Sequence, residues 1–192
     1  MTAIVDYKAG NLTSVKYAFA ALGEEAIVTS NAKDIAGASH VVFPGVGAAA
    51  SAMANLRGLG LEDAVRKAAN EKPFLGICLG MQILFDRSEE DGGVDTLGII
   101  PGNVRRFGEV AGCKVPHMGW NDVTGDIANG EYYYFVHSYY AELCPWTVGE
   151  TEYAGVRFTS IVKKDNILAC QFHPEKSGAA GLALLGRWLK EC

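Results

Sequence analysis

Short apolar runs alternate with helically spaced segments through the first half of the chain. Ala3 to Val5, Ala26 to Val28, Val41 to Phe43 and Phe74 to Ile77 are rich in Val, Ile or Phe and bounded nearby by Gly, Pro or Asn, which predicts strands. Leu12 to Leu22, Leu61 to Ala69 and Leu79 to Phe85 carry apolar residues at helical spacing. This alternation predicts a parallel sheet covered by helices rather than a helical protein with apolar loops. In the second half Leu97 to Ile100, Val104 to Arg106, Tyr132 to Tyr140, Val156 to Val162 and Ile167 to Phe172 read as strands joined by Gly- and Asp-rich turns, with antiparallel pairing. Gly181 to Leu189 reads as a terminal helix packing Leu182, Leu185 and Leu189 on one face.

The 192 residues contain no repeat or low-complexity linker, and one domain over 1–192 is expected. A content of 49% hydrophobic and 20% charged residues is that of an ordinary globular protein. Net charge is -5 without a basic stripe, which argues against nucleic acid as a partner. The start, Met1-Thr2-Ala3-Ile4-Val5-Asp6-Tyr7, lacks a basic leader and is too polar for a membrane span, so no membrane association is expected. Cys78, Cys113, Cys144, Cys170 and Cys192 show neither ligand spacing nor a disulfide pattern, so no metal is called for and reduced thiols in a cytoplasmic setting are expected.

One cysteine stands in a distinctive place. Gly76-Ile77-Cys78-Leu79-Gly80 joins an apolar strand to a helical segment, an elbow that presents a nucleophile while its glycines keep side chains out of the turn. The following helix terminus favours a thiolate. A buried cysteine after a strand is as often a small core residue, so the elbow needs a base. His173, delivered with Pro174 and Glu175 at the end of the last strand, supplies one, and Glu175 accepts the other imidazole proton. His40 reads as a strand-entry residue, while His117 and His137, in aromatic and polar stretches, remain rival bases. Attack on a carbonyl also needs oxyanion donors, for which the Leu79 amide and the N–H groups of the Pro44-Gly45-Val46-Gly47 loop are candidates.

Taken in order, Pro44-Gly45-Val46-Gly47, Gly76-Ile77-Cys78-Leu79-Gly80-Met81-Gln82 and His173-Pro174-Glu175 resemble the class I glutamine amidotransferase family over nearly the whole chain. Val46, Pro116-His117-Met118-Gly119-Trp120-Asn121 and Tyr134-Phe135-Val136-His137-Ser138-Tyr139 are similar to the branch formed by glutaminase subunits of imidazole glycerol phosphate synthase. The resemblance implies a flavodoxin-like α/β fold with a mostly parallel central sheet, and a Cys78-His173-Glu175 triad that hydrolyses L-glutamine without a cofactor. It implies Val46, Gly47 and Leu79 at the oxyanion hole, and Gly47, Gln82, Ser138, Tyr139 and, more loosely, Glu90 around the glutamine head group. It further implies a heterodimer with a barrel-shaped cyclase subunit, which receives ammonia and makes imidazole glycerol phosphate and an aminoimidazole ribonucleotide in histidine biosynthesis. Met118, Trp120, Asn121 and Lys176 would face that partner, although Trp120 also reads as a core aromatic. The expected control is a Pro44 to Gly47 loop that turns a peptide when the partner is liganded, completing the oxyanion hole. The alternatives are a glutaminase feeding pyridoxal, anthranilate or guanylate synthesis, and a cysteine-based chaperone or hydrolase of similar fold.

Overall fold

The computed structural model describes residues 1–128 and 130–191; Cys192 lies outside the described residues. The first half runs β1 (Thr2–Val5), α1 (Leu12–Ala21), β2 (Ala26–Thr29), α2 (Ala32–Gly37), β3 (His40–Phe43), α3 (Ala49–Gly58), α4 (Glu62–Glu71), β4 (Phe74–Ile77) and α5 (Leu79–Gln82). The second runs β5 (Arg87–Ser88), β6 (Val94–Asp95), β7 (Asn103–Arg106), β8 (His117–Val123), β9 (Glu131–His137), β10 (Tyr139–Ala141), β11 (Thr147–Tyr153), β12 (Val156–Lys164), β13 (Ile167–Cys170) and α6 (Gly178–Glu191).

The main sheet has the order β2-β1-β3-β4-β13-β12-β10-β7-β5-β6, with β11 also on β12. The β2-β1-β3-β4-β13 portion is parallel, the flavodoxin-like order, its fifth strand supplied from late in the chain. From β13 onward the pairing turns antiparallel, apart from β5 on β7. Both faces of β1, β4 and β13, and of β3 beyond His40, are buried, which is why they read as continuous apolar runs, whereas β2 at the sheet edge leaves Val28 exposed. Ala3, Val5, Val41, Phe43 and Phe74 pack on one side with Ile35, Met53, Leu56 and Val65 of α2, α3 and α4. Ile4, Val42, Leu75 and Ile77 pack on the other with Val15 and Phe19 of α1 and Leu184, Leu185 and Trp188 of α6.

Four expectations change. Leu97 to Ile100 forms no strand: its N–H groups bond the carbonyls of Ile83, Leu84 and Phe85, capping the turns that follow α5, with Gly98 at φ +58. Leu97 and Ile100 are apolar because they plug the core there. The helix expected over Leu79 to Phe85 keeps only the turn Leu79–Gln82. Tyr132 to Tyr140 is broken at Ser138, where the chain leaves the two-stranded β8–β9 ribbon for the main sheet. On α6 the buried stripe is Gly181, Leu184, Leu185 and Trp188, leaving Leu182 and Leu189 half-buried, because Trp188 fills the contact with Phe19.

Candidate active site

The carboxyl ends of β3, β4 and β13 converge, which is where open parallel sheets place their ligands. Cys78 follows β4 directly with φ 53 and ψ -108, and its N–H extends the β13 ladder by bonding the Cys170 carbonyl at 2.7 Å. A non-glycine residue held at positive φ stores about 1–3 kcal/mol of strain, which the surroundings must sustain. They do so by close approach: a Cβ at Gly76 would meet the Gly80 carbonyl, and one at Gly80 would meet the Phe43 carbonyl at the end of β3. Gly80→Ala should therefore push β3 and its loop off the elbow, destabilising the protein by about 3 kcal/mol in urea unfolding. A loss under about 0.5 kcal/mol would show that the elbow tolerates a side chain there. With α5 a single turn, dipolar support for a thiolate comes from that turn alone.

His173 lies three residues beyond β13, and its Nδ1 donates to Glu175 Oε1 at 2.8 Å, with both side chains 2% exposed. The ionised carboxylate accepts only, so this bond fixes the proton on Nδ1 in the neutral imidazole and turns Nε2 to the nucleophile's side. Burial, the largest single influence on His173, acts to lower its pKa; Cys78 and Glu175 together outweigh it and push the value up to about 10. The arrangement can hold an imidazolium beside a sulfur anion, ready to give a proton to a leaving amine.

A cavity of about 320 Å³ opens over Cys78 and His173. Its wall includes Val46, Gly47, Leu79, Gln82, Glu90, Ser138 and Tyr139, so the oxyanion and glutamine-contact residues expected from the sequence come together around one space. The Leu79, Val46 and Gly47 N–H groups make no hydrogen bond among the described residues. The Val46 carbonyl is taken by the buried Tyr7 hydroxyl at 3.3 Å. Burial pushes the Tyr7 phenol well above its ordinary range, against the Val46 contact that acts to lower it. Glu90 accepts the Ala49 N–H at 2.6 Å and so caps α3; burial raises its carboxyl pKa despite that bond. Gln82 directs its amide nitrogen at the carbonyl of Tyr139, 2.8 Å, and at Gln171 Oε1, 2.9 Å, which leaves its Oε1 for the cavity.

The other histidines are held for different work. His40 opens β3 at the opposite end from Cys78 and packs edge-on against Trp188. His117 and His137 are paired, Nδ1 to Nε2 at 3.0 Å, with His117 sandwiched between Phe135 and Tyr153. Burial lowers His117 to about 4 and, with smaller effects from His117 and His173, lowers His137 to about 3 although the Tyr139 carbonyl acts to raise it. Both are neutral at pH 7. Their folded values lie below that of an unfolded histidine, so the unfolded chain takes up more protons below about pH 6.5. The stability they permit is present above that pH and lost as pH falls toward 4 and 3. Between pH 7 and 5 the loss should be about 2 kcal/mol after allowance for solvent screening. Urea midpoints measured across that range should show a clearly shallower slope in His117→Gln; an unaltered slope would assign the acid sensitivity elsewhere.

The β8–β9 ribbon turns His117, Tyr133, Phe135 and His137 inward, with Tyr133 stacked on Phe172 at 4.0 Å. Its outer face carries Met118, 63% exposed, Trp120, 57% exposed, and Tyr132, 59% exposed. Trp120 is thus no core aromatic. It meets the Tyr134 ring at 6.1 Å, over which Lys176 Nζ sits at 6.0 Å. Asn121 faces the other way, its amide donating to the Glu152 carbonyl at 3.1 Å and reaching His117 Nε2 at 3.4 Å. Three of the four expected interface residues share the outer surface, and Asn121 is tied to the His117 layer beneath. The ribbon is also fastened to the base: His173 N–H bonds the Tyr134 carbonyl, and Ser177 Oγ accepts the Tyr134 N–H while donating to the His173 carbonyl.

Two residues near the reacting atoms went unread in the sequence. Gln171 follows β13 directly, at a bend two residues before His173, and a polar residue interrupting the apolar run Ile167 to Phe172 was the available signal. Tyr7 closes the turn after β1; only its position at a strand's carboxyl end marked it.

An elbow cysteine, a buried His–Glu pair and a cavity at the carboxyl ends of a flavodoxin-like sheet together have the arrangement that cysteine-nucleophile enzymes of the α/β type require. The family model for glutamine amidotransferase class-I matches residues 3–191, and the chain belongs to that family. Among curated relatives, imidazole glycerol phosphate synthase subunit HisH of Exiguobacterium sibiricum is 48% identical, the match covering 98% of this chain and 94% of that one. The HisH subunit of Nitrosospira multiformis is 50% identical, covering 98% and 96%. A crystal structure of a glutamine amidotransferase superposes with a TM-score of 0.78 at 21% identity, covering 98% of this chain and 97% of that one. PurLQS from Thermotoga maritima gives 0.71 at 17% identity, covering 98% and 97%, which is likeness of fold. No helix among the described residues is long and apolar enough to cross a membrane.

Proposed function

We propose that this protein is the glutaminase subunit of imidazole glycerol phosphate synthase, a single cytoplasmic domain that hydrolyses L-glutamine and passes ammonia to a cyclase subunit. The observation that carries the reading is the cavity in which Cys78 and His173 meet Gly47, Gln82, Glu90, Ser138 and Tyr139. The Cys78 sulfur attacks the carboxamide carbon, and the oxyanion is met by the N–H groups of Leu79 and the Val46–Gly47 loop. His173 protonates the amide nitrogen, ammonia leaves, and a glutamyl thioester remains. A water, deprotonated by His173, then releases glutamate and restores the thiolate. Glu175 holds the imidazole in register throughout.

Full-length identity of 48% and 50% to HisH subunits supports this reading over glutaminases serving pyridoxal, anthranilate or guanylate synthesis. The exposed Met118, Trp120 and Tyr132 face supports docking of the cyclase there, with Lys176 at its side. Trp120→Ala should weaken the complex by at least about 2 kcal/mol, roughly thirtyfold in Kd, in titration calorimetry with the cyclase subunit. Unchanged affinity would place the docking surface elsewhere. The unengaged N–H groups of the Pro44 to Gly47 loop support control by a peptide turn, so glutaminase activity should rise when the partner binds its nucleotide. Equal rates with and without liganded partner would remove that control from the account.

A further inference from the structure

Gln171 is fully buried, and its Nε2 lies 3.6 Å from the Cys78 sulfur. Which end of this amide faces the sulfur follows from its neighbours. The Tyr139 carbonyl can only accept, so the Gln82 atom 2.8 Å away is the amide nitrogen. That same nitrogen stands 2.9 Å from Gln171, so the Gln171 atom receiving it is the oxygen. The remaining end of Gln171, its N–H, is thereby turned to Cys78. The His137 Nδ1–H shares the Tyr139 carbonyl at 2.7 Å, so the acceptor that sets the polarity is itself held in place.

We propose that Gln171 is a catalytic residue whose N–H donates to the Cys78 sulfur and stabilises the thiolate over the thiol, with Gln82 and the Tyr139 carbonyl fixing its polarity. The proposal deepens the glutaminase reading and rests on it. A reversed Gln171 would offer an oxygen, which suits a neutral S–H and opposes a sulfur anion. With the observed polarity, the donor serves the sulfur before attack and again when sulfur leaves as the thioester is hydrolysed. His173 moves the protons; Gln171 has none to lose and contributes charge stabilisation and direction. Buried hydrogen bonds to charged groups are the strong ones.

The test follows alkylation of Cys78 by iodoacetamide from pH 6 to 10, read on the Cys78 peptide by mass spectrometry, and needs neither glutamine nor partner. In Gln171→Met, close in volume but without a donor, the rate at pH 7 should fall about five- to tenfold, and further in Gln171→Glu. The Gln171→Met rate should approach the wild-type rate as pH rises toward 10, above the ordinary range of a free thiol. Equal rates at pH 7 would overturn the proposal. So would a reduction that persists undiminished to pH 10, the signature of a displaced or shielded sulfur. If Gln171→Met fails to fold by circular dichroism, Gln82→Met, which frees Gln171 to reverse, should lower the pH 7 rate at least about twofold, and an unchanged rate there overturns it. Because the readout is thiol reactivity, absence of glutamine turnover with these shifts intact would reject the glutaminase reading and leave the donor assignment standing.

Discussion

Cys78→Ala is expected to abolish glutamine-dependent synthesis by the assembled complex while synthesis from added ammonium continues at its wild-type rate. The reasoning is local. Cys78 alone carries a sulfur into the cavity beside His173, whereas the other described cysteines lie elsewhere: Cys170 faces the core, and Cys113 and Cys144 are half-buried away from it. Alanine keeps the elbow backbone and removes the nucleophile, and loss of a covalent nucleophile typically costs at least about 10,000-fold in turnover. Persistence of ammonium-dependent synthesis is the internal control for docking. Loss of both activities would point to a damaged interface, and survival of the glutamine-dependent rate would mean that Cys78 is not the nucleophile.

His173→Gln should lower glutaminase turnover about a hundred- to ten-thousandfold, the span attributed to a positioned acid–base group. Glutamine can still reach Glu175 but cannot shuttle a proton between sulfur, leaving amine and water. The pH profile distinguishes this from a packing defect. With His173 raised to about 10, its protonated form is populated throughout the neutral range and is lost as pH rises through that value. Wild-type turnover should therefore show no His173-dependent decline between pH 7 and 9 and should fall near pH 10. The residual activity of His173→Gln should lack that alkaline limb. An alkaline limb retained in the variant would assign it to another group.

The inner parallel strands were legible because burial on both faces writes them as apolar runs; Phe74 to Ile77 has the observed bounds. The elbow and the His173–Glu175 pair were legible because their chemistry is carried by residues adjacent in sequence. α2 and α3 were not read: α3 is built from Ala, Ser, Asn and Gly with few large apolar residues to mark a period. β8 was hidden because Met118 and Trp120 alternate with Gly119 and Asn121 and are exposed, so that the large apolar residues at its centre lie on the outer face. β11, rich in Thr, Gly and Glu, offered no apolar run. Leu97 to Ile100 imitated a strand because apolar content records burial, and its backbone instead caps the turns after α5. The role of Gln171 depends on Gln82 and Tyr139, distant in sequence, and no local pattern encodes that meeting.

The central claim is that Cys78 attacks the carboxamide of glutamine. Incubating the protein, with its liganded cyclase partner, with a diazo-ketone analogue of glutamine and mapping the adduct by mass spectrometry tests it most directly. The account predicts one adduct per chain, on Cys78, slowed by excess glutamine and absent from Cys78→Ala. An adduct on another cysteine, or labelling of Cys78 that excess glutamine does not slow, would contradict it.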